Sequence, residues 1–349
     1  MKKVFSVLLA LCLLLVPLSG CKQAGEKYNA YYFEYFDTVS IVTGYAESKE
    51  AFDAVCAEIE AELKEYHRLY TIYNGFEGVN NLKTVNAVTD GAHSEVQVDG
   101  KVIDLLLFAK EMYRETDGLV NVAMGSVLKL WHVYRNEGID DPAAAQLPPM
   151  EKLKDAAKHT DIDKVIIDEE NGTVFLADPK MSLDVGAIAK GYAVERIARD
   201  LEAKGITGYL LNVGGNVRAV GTFGEKPWNV GIENPDKENE DVPHIEFLHL
   251  TNEAVITSGV YQRYYYVDGE KYHHIIDPET LMPGSNFMSV SVLAEDSGMG
   301  DAFSTALFLM NYEDGLKLVE ETENVEAMWV MPDGEQRYSS GFKAYTYVP

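Results

Sequence analysis

Lys164-Val165-Ile166-Ile167 and Thr173-Val174-Phe175-Leu176, with Asn171-Gly172 between them, read as two strands of a hairpin. The runs are β-branched and aromatic, and the turn residues reach positive φ where the chain must reverse. The pattern returns where Tyr261 to Val267 and Glu270 to Ile276 flank the two-residue turn Asp268-Gly269, and Pro332-Asp333-Gly334 marks a third turn. Thr38-Val39-Ser40-Ile41-Val42-Thr43 predicts another strand, just after an aromatic stretch from Tyr28 to Phe36. Between these, Phe52, Val55, Cys56, Ile59, Leu63 and Tyr66 recur at three- and four-residue steps, as do Val102, Leu105, Leu106, Ala109, Met112 and Tyr113, which predicts two amphipathic helices. Hairpins mixed with long helices, without regular strand-helix alternation, predict an α+β fold of mixed helices and mainly antiparallel sheet.

The 349 residues are 46% hydrophobic and 25% charged, which excludes a disordered, collagenous or multi-span membrane chain. Thirty basic residues against 56 acidic ones give a formal charge of −26, which repels phosphate backbones and excludes nucleic acid as a partner. A phosphate-bearing ligand must then meet a local positive site or a metal ion. Lys2 and Lys3 precede an apolar run from Val4 to Leu18, the pattern of a secretory signal. Leu18-Ser19-Gly20-Cys21 resembles the bacterial lipobox. The expected organisation is a signal peptide over 1–20, a lipidated Cys21 with a short tether over 21–27, and one globular domain over 28–349, lipid-anchored to the membrane in the extracytoplasmic cell envelope. Cys56 then has no intramolecular partner, and stability must come from the core. Gly138 to Pro149 and the acidic stretch Asn234 to Pro243 read as solvated excursions on that one domain.

No P-loop, dinucleotide fingerprint, nucleophile elbow or zincin motif occurs. Four segments can carry chemistry. In Ser182-Leu183-Asp184-Val185-Gly186-Ala187-Ile188-Ala189-Lys190-Gly191 a helix begins, and its periodicity puts Ala187 and Lys190 on the apolar face, where the lysine either meets an anion or snorkels. Asp301, Ser304 and Thr305 fall at i, i+3 and i+4 on one helical face, an oxygen-only donor set suited to Mg²⁺, unless Asp301 is simply an N-cap. His273 and His274 follow Thr257-Ser258-Gly259-Val260-Tyr261-Gln262-Arg263, and strand alternation places the two on opposite faces, one as a possible general base and the other as a satisfied side chain. Gly214-Gly215, in Asn212-Val213-Gly214-Gly215-Asn216, allows close backbone approach or a turn.

In order and wording these blocks, with Thr116-Asp117-Gly118 and His274-Ile275-Ile276-Asp277-Pro278, resemble the bacterial flavin transferases of the ApbE family over nearly the whole chain. The resemblance implies a T-fold-like single catalytic domain that moves FMN from FAD onto a threonine of an extracytoplasmic redox protein, with release of AMP. It implies Mg²⁺ held by Asp301, Thr305 and the Ala187 carbonyl, with Ser304 adjacent. Phe36, Tyr73, Leu119, Val120, Asn121, Asp184, Lys190 and Ile276 would contact FAD, and His274 would activate the incoming hydroxyl. Three positions differ from the usual family pattern: Asn121 replaces an aspartate, Phe36-Asp37-Thr38 replaces Met-Gly-Thr, and Leu281 follows Thr280 where glycine is expected. Two other outcomes use the same residues: hydrolysis of FAD to FMN and AMP by water, and flavin binding without turnover.

Overall fold

The computed structural model describes residues 25–88, 94–222, 224 and 226–349, so residues 1–20 and Cys21 lie outside the described residues. One sheet runs, in spatial order, through β1 (Glu26–Tyr32), β2 (Ser40–Ala46), β6 (Tyr209–Val213), β7 (Asn216–Val220), β10 (Ala254–Gly259), β13 (Ser289–Ala294), β14 (Val325–Val330) and β15 (Gln336–Tyr338). Every neighbouring pair is antiparallel. Side-chain alternation sends Val292, Ala294 and Ala327 into one core and Val255, Leu293 and Met328 into another. Both faces are therefore covered, and β7 and β13 are buried along their whole length.

Helices cover the first face. α1 (Lys49–Tyr70) starts where the Ser48 hydroxyl accepts the Ala51 amide, and it buries Phe52, Cys56, Ile59, Leu63 and Tyr66 as the spacing predicts. α2 (Leu82–Val88) and α3 (Gly100–Glu115) follow, and α3 is capped by Asp99 and buries Val102, Leu105, Leu106, Ala109 and Met112. The short strands β3 (Val96–Gln97), β4 (Val165–Asp168) and β5 (Thr173–Leu176) form a small antiparallel sheet, and β4–β5 is the first hairpin of the sequence reading. The second face is covered by the hairpin of β8 (Trp228–Glu233) and β9 (His244–Leu250), which contributes Trp228, Val230, Ile232, Leu248 and Leu250.

A smaller lobe has its own core. α4 (Gly125–Asp140), α5 (Met150–Ala156) and the hairpin of β11 (Tyr265–Val267) and β12 (Glu270–Tyr272) gather Met124, Val127, Trp131, Leu153, Tyr265, Ile276 and Leu281. α6 (Ala189–Ala203), α7 (Ser297–Leu309) and α8 (Tyr312–Glu321) complete the helical layer. The α+β, mainly antiparallel, single-domain reading holds. The turns also form as read: Asp268 and Gly269 have φ of 52° and 86°, and Gly172 and Gly334 of 64° and 86°.

Local boundaries differ. β1 begins at Glu26, inside the stretch read as a tether, and β2 runs from Ser40 rather than Thr38. The second hairpin is shorter than predicted. Arg263 at φ 46° interrupts it on one side. On the other, His273 Nδ1 accepts the Ile275 amide and its Nε2 lies 2.7 Å from the Gly284 carbonyl, which turns the chain out of the strand. Ala187 precedes α6 rather than lying on it, because the helix starts at Ala189.

Phe36, Asp37 and Leu281 adopt φ of 55°, 51° and 62°, the left-handed region in which a Cβ is strained. Two of them, Asp37 and Leu281, stand where the family pattern has glycine. Asp37→Gly is expected to stabilise the protein by about 0.5–1 kcal/mol, after allowing for glycine's extra freedom when unfolded; urea titration of both proteins at equal concentration checks this.

Candidate functional site

The cleft opens between the helix-covered sheet and the smaller lobe, at the ends of β6, β7 and β10. Phe36 and Thr38 from the β1–β2 connection, Asp184 to Ala187 ahead of α6, Ala189 and Lys190 within it, Asn216, Asp301 and Thr305 line one side. Leu128, His132 and Arg135 of α4, with His274 and Ile276, line the other. Gly214 is at φ 58°, and a Cβ there would lie 2.5 Å from the Thr38 hydroxyl, so both readings of that glycine pair apply: a tight turn and a close approach.

Asp301 is the centre of the first wall. It lies one turn into α7, whose N-cap is Asp296, so Asp301 is not a cap of its own helix. It caps another: α6 has no side-chain cap, and its Gly191 amide donates to Asp301 Oδ2 at 2.9 Å. Asn216 Nδ2 donates to the same oxygen at 3.0 Å, and Lys190 Nζ stands 3.8 Å from it. Lys190 thus has its anionic partner. The carboxylate is only 4% exposed, and burial raises its pKa against the opposing pull of Lys190, Gly191 and Asn216. Gly191 is obligatory here, since a Cβ would sit 2.3 Å from the Ser297 carbonyl oxygen and 2.5 Å from Asp301 Cβ.

Among the described residues Asp301 Oδ1 accepts no hydrogen bond, and the Thr305 hydroxyl one turn on has no partner. With Ala187 across from them, these oxygens suit a hard cation that takes one carboxylate and completes its shell with water and phosphate. No group of three or more His, Cys, Asp or Glu side chains capable of holding a metal occurs among the described residues. Ser304 does not join the wall. Its hydroxyl is fully buried, donates to the Asp301 carbonyl and lies 2.9 Å from Ser258 Oγ.

His274 faces the cleft, while His273 is held by Gly284 and packed edge-on against Phe308. Strand alternation left open which of the two is free, and the family resemblance pointed to His274; its Nδ1 is buried without a partner among the described residues. Burial first, then Arg263, His273, Arg135 and Lys190, push its pKa down to about 3. The imidazole is therefore neutral at physiological pH and able to accept a proton.

The remaining residues named from sequence also line the cleft: Phe36, Tyr73, Leu119, Val120, Asn121, Asp184, Lys190 and Ile276. Several have other duties. Asn121 Nδ2 donates to the Thr160 carbonyl and its Oδ1 accepts the Ala123 amide, so its amide orients the chain. Asp184 Oδ1 accepts the Gly186 amide, while Oδ2 is 4.0 Å from His132 Nε2. Tyr73 is half-exposed, its hydroxyl 3.2 Å from His132 Nδ1.

Sequence reasoning missed His67, His132, Arg135 and Arg263 as cleft residues. Phe36 donates its amide to His67 Nδ1. Neither Arg135 nor Arg263 makes an ion pair among the described residues, so with Lys190 they supply the local positive site that the acidic composition demands. The available signal for α4 was Leu128, His132 and Arg135 at four- and three-residue steps.

Together these features define an anion-receiving cleft with a proton acceptor facing an oxygen-donor wall. The chain belongs to the ApbE family, which it matches over residues 36–329. It is 33% identical over 304 residues to an FAD:protein FMN transferase of Treponema pallidum, covering 82% of this chain and 81% of that protein. It is 32% identical over 280 residues to one of Klebsiella pneumoniae, covering 80% and 82%. The crystal structure of the ApbE protein of Thermotoga maritima superposes with a TM-score of 0.79 at 28% identity, covering 93% of this chain and all of that one.

Two outcomes follow from this geometry. Gly191→Ala should force α6 and α7 apart and cost about 1–3 kcal/mol, as overpacking does, read as a fall in the urea midpoint. His67, His132, His273 and His274 all have pKa values lowered first by burial, so the native state keeps them neutral. As pH falls below about 6.5 the unfolded chain takes up protons that the native state refuses, so the stability they support is full above that pH and is lost on acidification. Urea titrations at pH 7.5 and 5.0 should show this loss, and it should be smaller in His274→Asn.

Proposed function

We propose that the protein is a Mg²⁺-dependent FAD:protein FMN transferase that acts on a threonine of an extracytoplasmic redox protein. The observation that carries this reading is the pairing, across one cleft, of a neutral unpartnered imidazole with the Asp301, Thr305 and Ala187 oxygens. The named relatives support the reaction class.

The pyrophosphate of FAD is received by Lys190, Arg135 and Arg263, while Tyr73, Phe36, Leu119, Val120, Asn121 and Ile276 offer the surface for the flavin. Asp301, Thr305 and the Ala187 carbonyl would hold Mg²⁺, which neutralises charge on a transferring phosphoryl group when bound. The threonine oxygen attacks the FMN-side phosphorus, the bond from that phosphorus to the bridging oxygen breaks, and AMP leaves. His274 takes the hydroxyl proton. After burial, Arg263, Arg135 and Lys190 depress its pKa, and the ligand's negative charge would offset that cationic part.

Anchoring through Cys21 belongs to the same reading and rests on the lipobox-like Leu18-Ser19-Gly20-Cys21. Among the described residues no helix is long and apolar enough to cross a membrane. Detergent-phase partitioning of the wild type that is lost in Cys21→Ser is the expected result.

Incubation with FAD and Mg²⁺, with and without EDTA, should release AMP only where metal is available, and an added acceptor protein should become covalently flavinylated. Free FMN with an unlabelled acceptor would mark a hydrolase, and metal-independent FAD binding without AMP a binding protein. Asp301→Asn is expected to abolish metal-dependent turnover. His274→Asn should slow transfer by about 10²–10⁴-fold while FAD affinity, measured by flavin fluorescence, is retained. An affinity loss equal to the rate loss would make His274 a binding residue.

A further inference from the structure

The three elements that converge on Asp301 converge a second time. Gly191, Asn216 and Asp301 belong to α6, β7 and α7. Four residues along α6 from Gly191 stands Glu195, two along β7 from Asn216 stands Arg218, and four back along α7 from Asp301 stands Ser297. By the helix and strand periods each lies on the same side of its element as its counterpart.

Arg218 Nε donates to Glu195 Oε2 at 3.0 Å, and the Ser297 amide donates to the same oxygen at 2.8 Å. Glu195 and Arg218 are 1% and 3% exposed, so the junction is sealed from solvent. The guanidinium also donates to Glu202 at 3.0 Å and to the Ala219 carbonyl. Arg199 donates to Glu195 Oε1 at 2.8 Å and to Asp296, the N-cap of α7, at 2.7 Å. None of these residues lines the cleft.

A buried ion pair is a poor device for stability alone, because apolar residues of similar volume often serve as well. Its directional bonds do something apolar contacts cannot: they fix the register of three elements against one another. We propose that Glu195 and Arg218 are positioning residues that hold α6, β7 and α7 so that the Gly191 amide and Asn216 converge on Asp301, and that they thereby set the affinity of the Asp301, Thr305 and Ala187 oxygens for a divalent cation. The inference rests on the metal reading given above.

The probe is Mn²⁺ titrated into the full chain, with free Mn²⁺ followed by electron paramagnetic resonance and folding by thermal melting. Glu195→Gln leaves Arg218 short of one partner, so the decisive variant is Glu195→Met with Arg218→Met, which removes both charges at similar volume. It is expected to melt close to the wild type and to bind Mn²⁺ about 10-fold more weakly or worse, the size of effect seen when groups that orient metal ligands are removed. The Mg²⁺ concentration for half-maximal AMP release should rise by the same factor, with the maximal rate recovered at saturating Mg²⁺. Arg199→Ala, at the exposed end of the network, keeps both buried charges and should weaken Mn²⁺ binding by a smaller factor.

A double variant that binds Mn²⁺ with wild-type affinity, at whatever melting temperature, overturns the inference. So does an unfolded double variant combined with unchanged affinity in Arg199→Ala. Wild type that takes up no Mn²⁺ overturns the metal reading and this inference with it, whereas wild-type uptake unchanged in the variants overturns this inference alone.

Discussion

A carboxylate kept out of water is the constraint around which this site is arranged. Burying an ionised group costs several kcal/mol unless other charges and donors replace its hydration. At Asp301 the replacement comes from two chain segments: the first turn of α6, with the Gly191 amide and the Lys190 ammonium, and β7, with the Asn216 amide. The exchange is mutual, since α6 lacks a side-chain cap and its Gly191 amide is satisfied by the carboxylate. One oxygen is thereby occupied and the other left toward the cleft. A cation arriving there meets a charge already stripped of water, the condition in which electrostatic attraction is strongest.

The scaffold that holds these segments is the antiparallel sheet covered on both faces. With helices on one side and the β8–β9 hairpin on the other, β7, β10 and β13 have no freedom to shift without disturbing two cores. The cleft forms at the strand ends, where backbone leaves the sheet, and the smaller lobe supplies its opposite wall. Because the lobe contributes Arg135 and the chain just before the β11–β12 hairpin contributes Arg263, an acidic protein presents cations where an anionic ligand enters.

Residues legible from the sequence were those whose signal is local. The stripes at Phe52 to Tyr66 and Val102 to Met112 follow a 3.6-residue period, and Asp268-Gly269 carries its own turn chemistry, so helices and hairpins could be read directly. Asp301 and Thr305 share a helical face for the same reason. Ser304 shares that face on paper yet is sealed by Ser258, because consecutive helical residues point about 100° apart and Ser304 and Thr305 fall on either side of a packing boundary. His273 and His274 could be told apart as opposite in direction but not in role, since Gly284 and Phe308, which immobilise one of them, arrive from elsewhere in the chain.

By itself the sequence determined the antiparallel α+β class, the positions of the turns, the acidic charge that demands a local cationic site, and the oxygen-donor pair on α7. Periodicity and backbone chemistry are properties of neighbours along the chain, and they survive any tertiary arrangement. Only the tertiary structure decided which histidine is free, which cations meet the ligand, and that Gly191, Asn216 and Lys190 surround Asp301. Around Asp301 they depend on residues 110 and 85 positions away, Gly191 and Asn216, brought within hydrogen-bonding distance by the packing of two helices on one strand.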